Sequence, residues 1–88
     1  MKYEWDENKQ VSNIKKHGVA FTDILSVFTD PCAVTAMDDR YDYGEERHNI
    51  IGAVRGFIFC VTFTYRNKNV RIISARLAHK KERTSYEQ

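Results

Sequence analysis

The chain is poor in most of the features that staple, anchor or partition a protein. It has two cysteines, Cys32 and Cys60, 28 positions apart and in no CxxC or CxH spacing. That argues against a disulfide framework and against a structural zinc, and leaves both as small core residues. The longest run without a charge, Gly56 to Tyr65, is interrupted by Thr62 and Thr64 and falls far short of the ~20 apolar residues of a membrane span. Met1 to Asp6 already carries Lys2, Glu4 and Asp6 with no apolar stretch behind it, so no signal peptide is expected and a cytoplasmic protein is. There is no repeat, low-complexity tract or linker, and 88 residues make one domain over residues 1–88 the expectation. Apolar residues at 42% can build a small core, while 30% charged residues leave little room for a polar interior as well.

Acidic residues are scarce in the second half. Residues 47–88 hold only Glu82 and Glu87 against nine cations, a balance of +7, whereas residues 1–46 hold ten acids against Lys2, Lys9, Lys15, Lys16 and Arg40, a balance of −5. A basic half is an electrostatic footprint for a polyanion such as RNA or DNA, because phosphate neutralisation releases counterions. The alternative is that the two halves neutralise each other across the fold.

Local patterns give an α+β organisation. Asp6 can cap a helix carrying Val11 and Ile14 on one face, and it should stop at His17 with Gly18 in the C′ position and Lys15, Lys16 and His17 complementing the dipole. A second short helix starts near Phe21 or Thr22, presents Ile24, Leu25 and Phe28, and ends at Asp30-Pro31. A strand is possible from Ala33 to Met37, followed by a turn-rich loop over Asp38–Gly44. Arg47–Ala53, Phe57–Tyr65 and Val70–Arg76 are rich in β-branched and aromatic residues and joined by hairpin-length connections. The expected fold is two short N-terminal helices on an antiparallel meander of three to four strands. In the central strand Phe57, Phe59, Val61, Phe63 and Tyr65 share one face, which should meet the helices. Leu77–Gln88 should form a solvent-facing C-terminal helix.

Several side chains suit phosphate chemistry. His17 sits beside a lysine pair at a helix C-terminus, which should raise its pKa and favour a proton donor or a phosphate contact. A C-cap bonding its own helix carbonyls is the plainer role. Arg71 and Arg76 can each clamp a phosphate, but a five-residue offset puts them on opposite faces of a regular strand. Both line one site only if Arg76 lies past the strand end or a bulge intervenes. Lys80, Lys81 and Arg83 form a basic helix face. Glu45, Glu46 and Glu82 are the carboxylates nearest the basic half, able to accept a proton, orient an arginine or form ordinary salt bridges. Tyr86 either stacks on a base or tucks the tail against the sheet. His48 and His79 have no carboxylate or cysteine at ligand spacing, so no metal site is expected.

The order and spacing of five blocks also carry a resemblance. They are Trp5-Asp6-Glu7-Asn8-Lys9; Asn13 with Lys16-His17-Gly18; Phe28-Thr29-Asp30-Pro31; Tyr41-Asp42-Tyr43-Gly44-Glu45-Glu46-Arg47 with Ile51-Gly52; and Val70-Arg71-Ile72-Ile73-Ser74-Ala75-Arg76 with Ala78, Glu82-Arg83 and Tyr86-Glu87. Over almost its whole length the chain resembles the BrnT family of toxins from type II toxin–antitoxin modules, which look like RelE-type ribonucleases in fold. Tyr65, before Arg66, departs from an acid frequent in the family, and Leu77 from a lysine or arginine. The resemblance implies a metal-independent endoribonuclease that needs no cofactor and lowers translation. It also implies a BrnA-like, DNA-binding antitoxin and a hetero-oligomer with two toxin copies. On that reading Arg71 and Arg76 surround the phosphate, His17 is the acid, Glu45 is the base or an arginine orienter, and Lys9, Lys16, Arg66, Lys80, Lys81, Arg83 and Tyr86 contact RNA. A non-catalytic nucleic-acid or antitoxin-binding module is the alternative.

Overall fold

In the computed structural model, which describes residues 2–38 and 44–88, the first helix forms where its caps dictate. Helix α1 spans Glu7–His17, the Asp6 carboxylate accepts the Asn8 and Lys9 N–H groups, and Gly18 takes the left-handed conformation while its N–H returns to the Ile14 carbonyl. Of the expected Asp38–Gly44 loop, Asp39 to Tyr43 lie outside the described residues, as do Arg40 and the Tyr41-Asp42-Tyr43 part of the family pattern.

The sheet differs from the expected meander. It has five strands: β1 (Tyr3–Glu4), β2 (Val34–Asp38), β3 (Arg47–Val54), β4 (Phe57–Arg66) and β5 (Asn69–Leu77), in the order β1-β5-β4-β3-β2. β2 to β5 are antiparallel neighbours, but β1 adds to β5 in parallel, with Tyr3 beside Val70 and Glu4 beside Arg71. The sheet is therefore mixed. Two residues carry no periodicity, and β1 exists because the Val70 N–H, left at the edge by the hairpin, bonds to the Lys2 carbonyl at 2.8 Å. The hairpin turns follow the expected chemistry, with positive φ at Arg55-Gly56 and at Asn67-Lys68.

The expected second helix is instead two 3-10 turns, Phe21–Asp23 and Leu25–Thr29. Phe21, Ile24 and Val27 are all fully buried, and their three-residue spacing suits a helix of three residues per turn rather than 3.6. Val27 packs onto Gly52 of β3, where an added Cβ would meet the Val27 Cβ at 3.2 Å. These side chains join Ile50, Val61, Phe63, Val70, Ile72 and Ala75 in the core, each large one contributing about 1.5–3 kcal/mol on burial. The aromatic face of β4 meets the helical layer through Val61 and Phe63, but its ends do not. Phe57 and Tyr65 are 61% and 56% exposed.

Leu77 and Ala78 belong to the sheet end rather than to the tail helix, and Ala78 is buried. Helix α2 (Lys80–Glu87) buries none of its residues fully. It is held by polar contacts: Glu82 to Arg76, the Arg83 guanidinium to the Ala78 carbonyl, and the Tyr86 hydroxyl to Asp30.

Candidate active site

The placement of the arginines depends on one irregularity in β5. Thr62 pairs with Ser74 but Phe63 pairs with Ile72, so Ile73 is an extra residue, a β-bulge. Beyond it the alternation reverses. Arg71 lies opposite Thr64, Ser74 opposite Thr62 and Arg76 opposite Cys60, all even positions of β4, so Arg71, Ser74 and Arg76 share one face. This face is opposite to the core. On β3 it continues with Arg47, Asn49 and Ile51, since Asn49 pairs with Thr62 and Ile51 with Cys60. Guanidinium groups stand at both ends, with hydroxyls and an amide between. The Thr62 hydroxyl donates to Asn49 Oδ1 at 2.6 Å.

Each guanidinium is held by a carboxylate. Arg71 Nη1 lies 2.7 Å from Glu4 Oε2, and Asn69 donates to the other oxygen of Glu4. Arg76 makes a two-pronged pair with Glu82, Nη1 to Oε1 at 2.7 Å and Nη2 to Oε2 at 3.0 Å, the geometry in which a carboxylate most resembles a bound phosphate. That hydrogen bond holds the Glu82 carboxyl at a pKa of about 2 against burial, which acts the other way. Hydrogen bonding to Arg71 likewise lowers Glu4. Glu45 sits at the far end of the face, 3.1 Å from Arg66 and 3.6 Å from Arg47, and the Arg66 hydrogen bond lowers its pKa.

His17 departs from expectation. Its pKa is lowered, not raised, first by desolvation and then by the charges of Lys16 and Arg76. These outweigh the helix dipole, which leaves a neutral imidazole at neutral pH. His17 shares a groove of about 260 Å³ between α1 and the edge of β5 with Lys9, Lys16, Ser12 and Ser74. The helix is docked there by Asn13, a buried amide that substitutes for a missing strand. Its Nδ2 donates to the Ala75 and Val19 carbonyls, both at 2.8 Å, and its Oδ1 accepts the Ala75 N–H at 3.1 Å.

The structure thus brings Arg71 and Arg76 to one face and places Arg76 within electrostatic reach of His17, with Lys9 and Lys16 alongside. Glu45 and Arg66 form a separate cluster at the other end of the sheet. Lys80 and Lys81 are exposed on the first turn of α2, and Arg83 is tied to Ala78. Tyr86 takes the tucking role: its hydroxyl donates to Asp30 Oδ2 at 2.6 Å, and that bond pushes its pKa up to about 12. Three contributors are absent from the sequence reading. Glu4 lies 67 positions from its arginine, beyond any local signal. Ser74 gains its place through the bulge. His79 stands at the N-cap of α2 beside the Arg76–Glu82 pair, its backbone N–H donating to Glu82, and since histidine is outside the Ser/Thr capping-box pattern its spacing of three before Glu82 gave no such signal.

The fold and this site define an α+β protein whose sheet carries a face of arginines, hydroxyls and an amide, bordered by a lysine-lined groove. The comparison with family models makes the class specific. The model described as ribonuclease toxin, BrnT, of type II toxin–antitoxin system matches residues 5–82, and the chain belongs to that family of ribonuclease toxins. Membership implies an antitoxin partner. No curated protein matches the chain. No helix among the described residues is long and apolar enough to cross a membrane.

Proposed function

We propose that residues 1–88 act as one cytoplasmic toxin domain, an endoribonuclease that cuts RNA without a metal and so lowers translation. The bulge at Ile73 carries this reading, because it places Arg71, Ser74 and Arg76 on one face. Cleavage requires the 2′-hydroxyl to lose a proton and attack the adjacent phosphorus in line, while the departing 5′-oxygen gains a proton. Arg71 and Arg76 hold the phosphate and stabilise the charge growing on its oxygens, the task a metal performs elsewhere. His17, neutral at pH 7, takes the hydroxyl proton rather than acting as the acid, and water supplies the proton that the departing 5′-oxygen gains. Glu45, committed to Arg66 and Arg47, orients arginines. Lys9 and Lys16 guide the chain at the groove, and Arg66, Lys80, Lys81 and Arg83 border its path, while Tyr86, bonded to Asp30, holds the tail helix in place. A BrnA-like antitoxin restrains the activity in a hetero-oligomer containing two toxin copies.

The test is incubation of antitoxin-free protein with RNA in EDTA. Products with 2′,3′-cyclic phosphate ends are expected, and Arg76→Ala should slow their formation by about 10²–10³-fold. Intact RNA at high protein excess refutes the proposal. The pairing of Arg71 and Arg76 with carboxylates favours one other reading, a non-catalytic module that binds nucleic acid or antitoxin. On that reading Arg76→Ala weakens RNA binding with no turnover to lose.

A further inference from the structure

The strand at the sheet edge far from Arg76 has nothing on its outer side among the described residues. β2 is the last strand in the order, and Val34, Thr35, Ala36 and Met37 are all exposed. The ladder's phase follows from one bond. The Ala53 N–H points to the β2 side of β3, where it reaches Asp30 Oδ2 at 2.9 Å. Main-chain groups of Ile51, Asn49 and Arg47 therefore point the same way, and their partners Val34, Ala36 and Asp38 spend their hydrogen bonds inward. Thr35 and Met37 are left with N–H and C=O facing out, and among the described residues no hydrogen bond reaches those groups. Edge strands are normally protected by charge, proline or a bulge. Val34 to Met37 contains no charge and no proline, and β2 runs in unbroken register with β3.

We propose that β2 pairs antiparallel with β2 of a second copy of this chain, on a two-fold axis through Ala36. The strand is self-complementary in that register. Thr35 faces Met37 of the second copy and Met37 faces its Thr35, and both are hydrogen-bonding pairs with outward donors and acceptors on each side. Ala36 meets its own copy in the close, non-hydrogen-bonded position, where a methyl group is easily accommodated. No like charges face each other, because Asp38, which is buried beside its register partner Arg47, stands opposite Val34 of the second copy. A larger side chain at 36 or a charge at 35 or 37 would spoil this match, and neither is present. Exposed Met37, at 55%, gains cover from the added strand. The seam is short and buries less than the ~1,200 Å² of a stable complex, so the dimer should be weak and dissociate on dilution. It forms directly between toxins and needs no antitoxin.

Sedimentation of the purified full chain between low micromolar and near-millimolar concentration should show a monomer–dimer equilibrium. Thr35→Pro removes only an outward N–H, which an edge strand tolerates, so it should abolish the dimer while leaving the circular dichroism spectrum and melting temperature close to those of the parent. In a Cys32→Ser background, oxidation of Ala36→Cys should give a disulfide-linked dimer, because facing residues at this position bring their Cα atoms to about 4.5 Å, while Val34→Cys should not. A chain that stays monomeric throughout, or a dimer untouched by Thr35→Pro, overturns the proposal. Loss of antitoxin binding by Thr35→Pro in a chain that never dimerises also overturns it and assigns the edge to the antitoxin. RNA cleavage does not enter any of these readouts, so this proposal stands or falls apart from the enzymatic one.

Discussion

The Glu82 carboxylate holds both terminal nitrogens of Arg76 and also accepts the His79 N–H at the start of α2, at 2.8 Å. Removing its charge loosens a strand residue and a helix end together. Its pKa falls from 4.5 to about 2 in the folded chain, so the folded state binds fewer protons than the unfolded state between those values. The stabilisation is complete above about pH 4.5 and is lost as the pH drops towards 2. Glu82→Gln should therefore cost on the order of 1–2 kcal/mol at pH 7, after allowance for solvent screening. In urea unfolding at a series of pH values the gap to the parent should close as the pH approaches 2. A gap that stays constant from pH 7 to 2.5 would mean that charge is not what Glu82 supplies. His17 offers a second check at this scale. Desolvation, Lys16 and Arg76 all lower its pKa, so its imidazole should titrate below 6.5 by NMR, and Arg76→Ala should move that value upward. An unmoved titration would separate His17 from Arg76 and remove it from the site.

At the scale of elements, the docking of α1 on β5 depends on Asn13. All three of its hydrogen bonds end on backbone groups of Ala75 and Val19. Asn13→Ala leaves those buried groups without partners and should cost about 2–4 kcal/mol, measured as a fall in the unfolding midpoint. Asn13→Asp should be no better, since two carbonyls would then face a carboxylate. Local chemistry made much of the fold legible in advance. Asp6, Gly18, the Asn67-Lys68 turn and the three long β runs each announce their element through a cap, a positive φ or period-two alternation. What escaped depends on distant partners. β1 is defined by an edge that β5 leaves open, and the bulge at Ile73 has no glycine or other mark in the sequence. The site was half legible for the same reason. Arg71 and Arg76 stand out as permanent charges on a strand, and the need for a bulge follows from counting, but Glu4 could be joined to Arg71 only by folding. The 3-10 turns were not legible because Ile24, Leu25 and Phe28 form a good α-helical stripe, whereas the chain buries Phe21, Ile24 and Val27 at the three-residue spacing of 3-10 turns.

Over the whole molecule, the split of charge along the sequence is partly cancelled in space. Glu4 and Glu45, from the acidic half, pair with Arg71, Arg66 and Arg47 of the basic half, so the two halves neutralise each other in part across the fold. The cations that face solvent at the proposed site are chiefly Lys9 and Lys16 at the groove, with Arg71 and Arg76 reached only when phosphate competes with Glu4 and Glu82. Four such contacts set the electrostatic work of binding. For single-stranded RNA the logarithm of affinity should fall with the logarithm of salt concentration at a slope near −0.7 per contact, or about −3 in all. Lys9→Ala and Lys16→Ala should each flatten the slope by about 0.7, measured by fluorescence anisotropy of a short labelled RNA on the Arg76→Ala background to prevent cleavage, where the parent slope is itself near −2. Replacing Lys68, at the hairpin tip away from the groove, should leave it unchanged. If Lys68→Ala flattens the slope as much as Lys9→Ala does, RNA is following the overall charge of the basic half rather than a track past His17 and Ser74, and the groove is not its path.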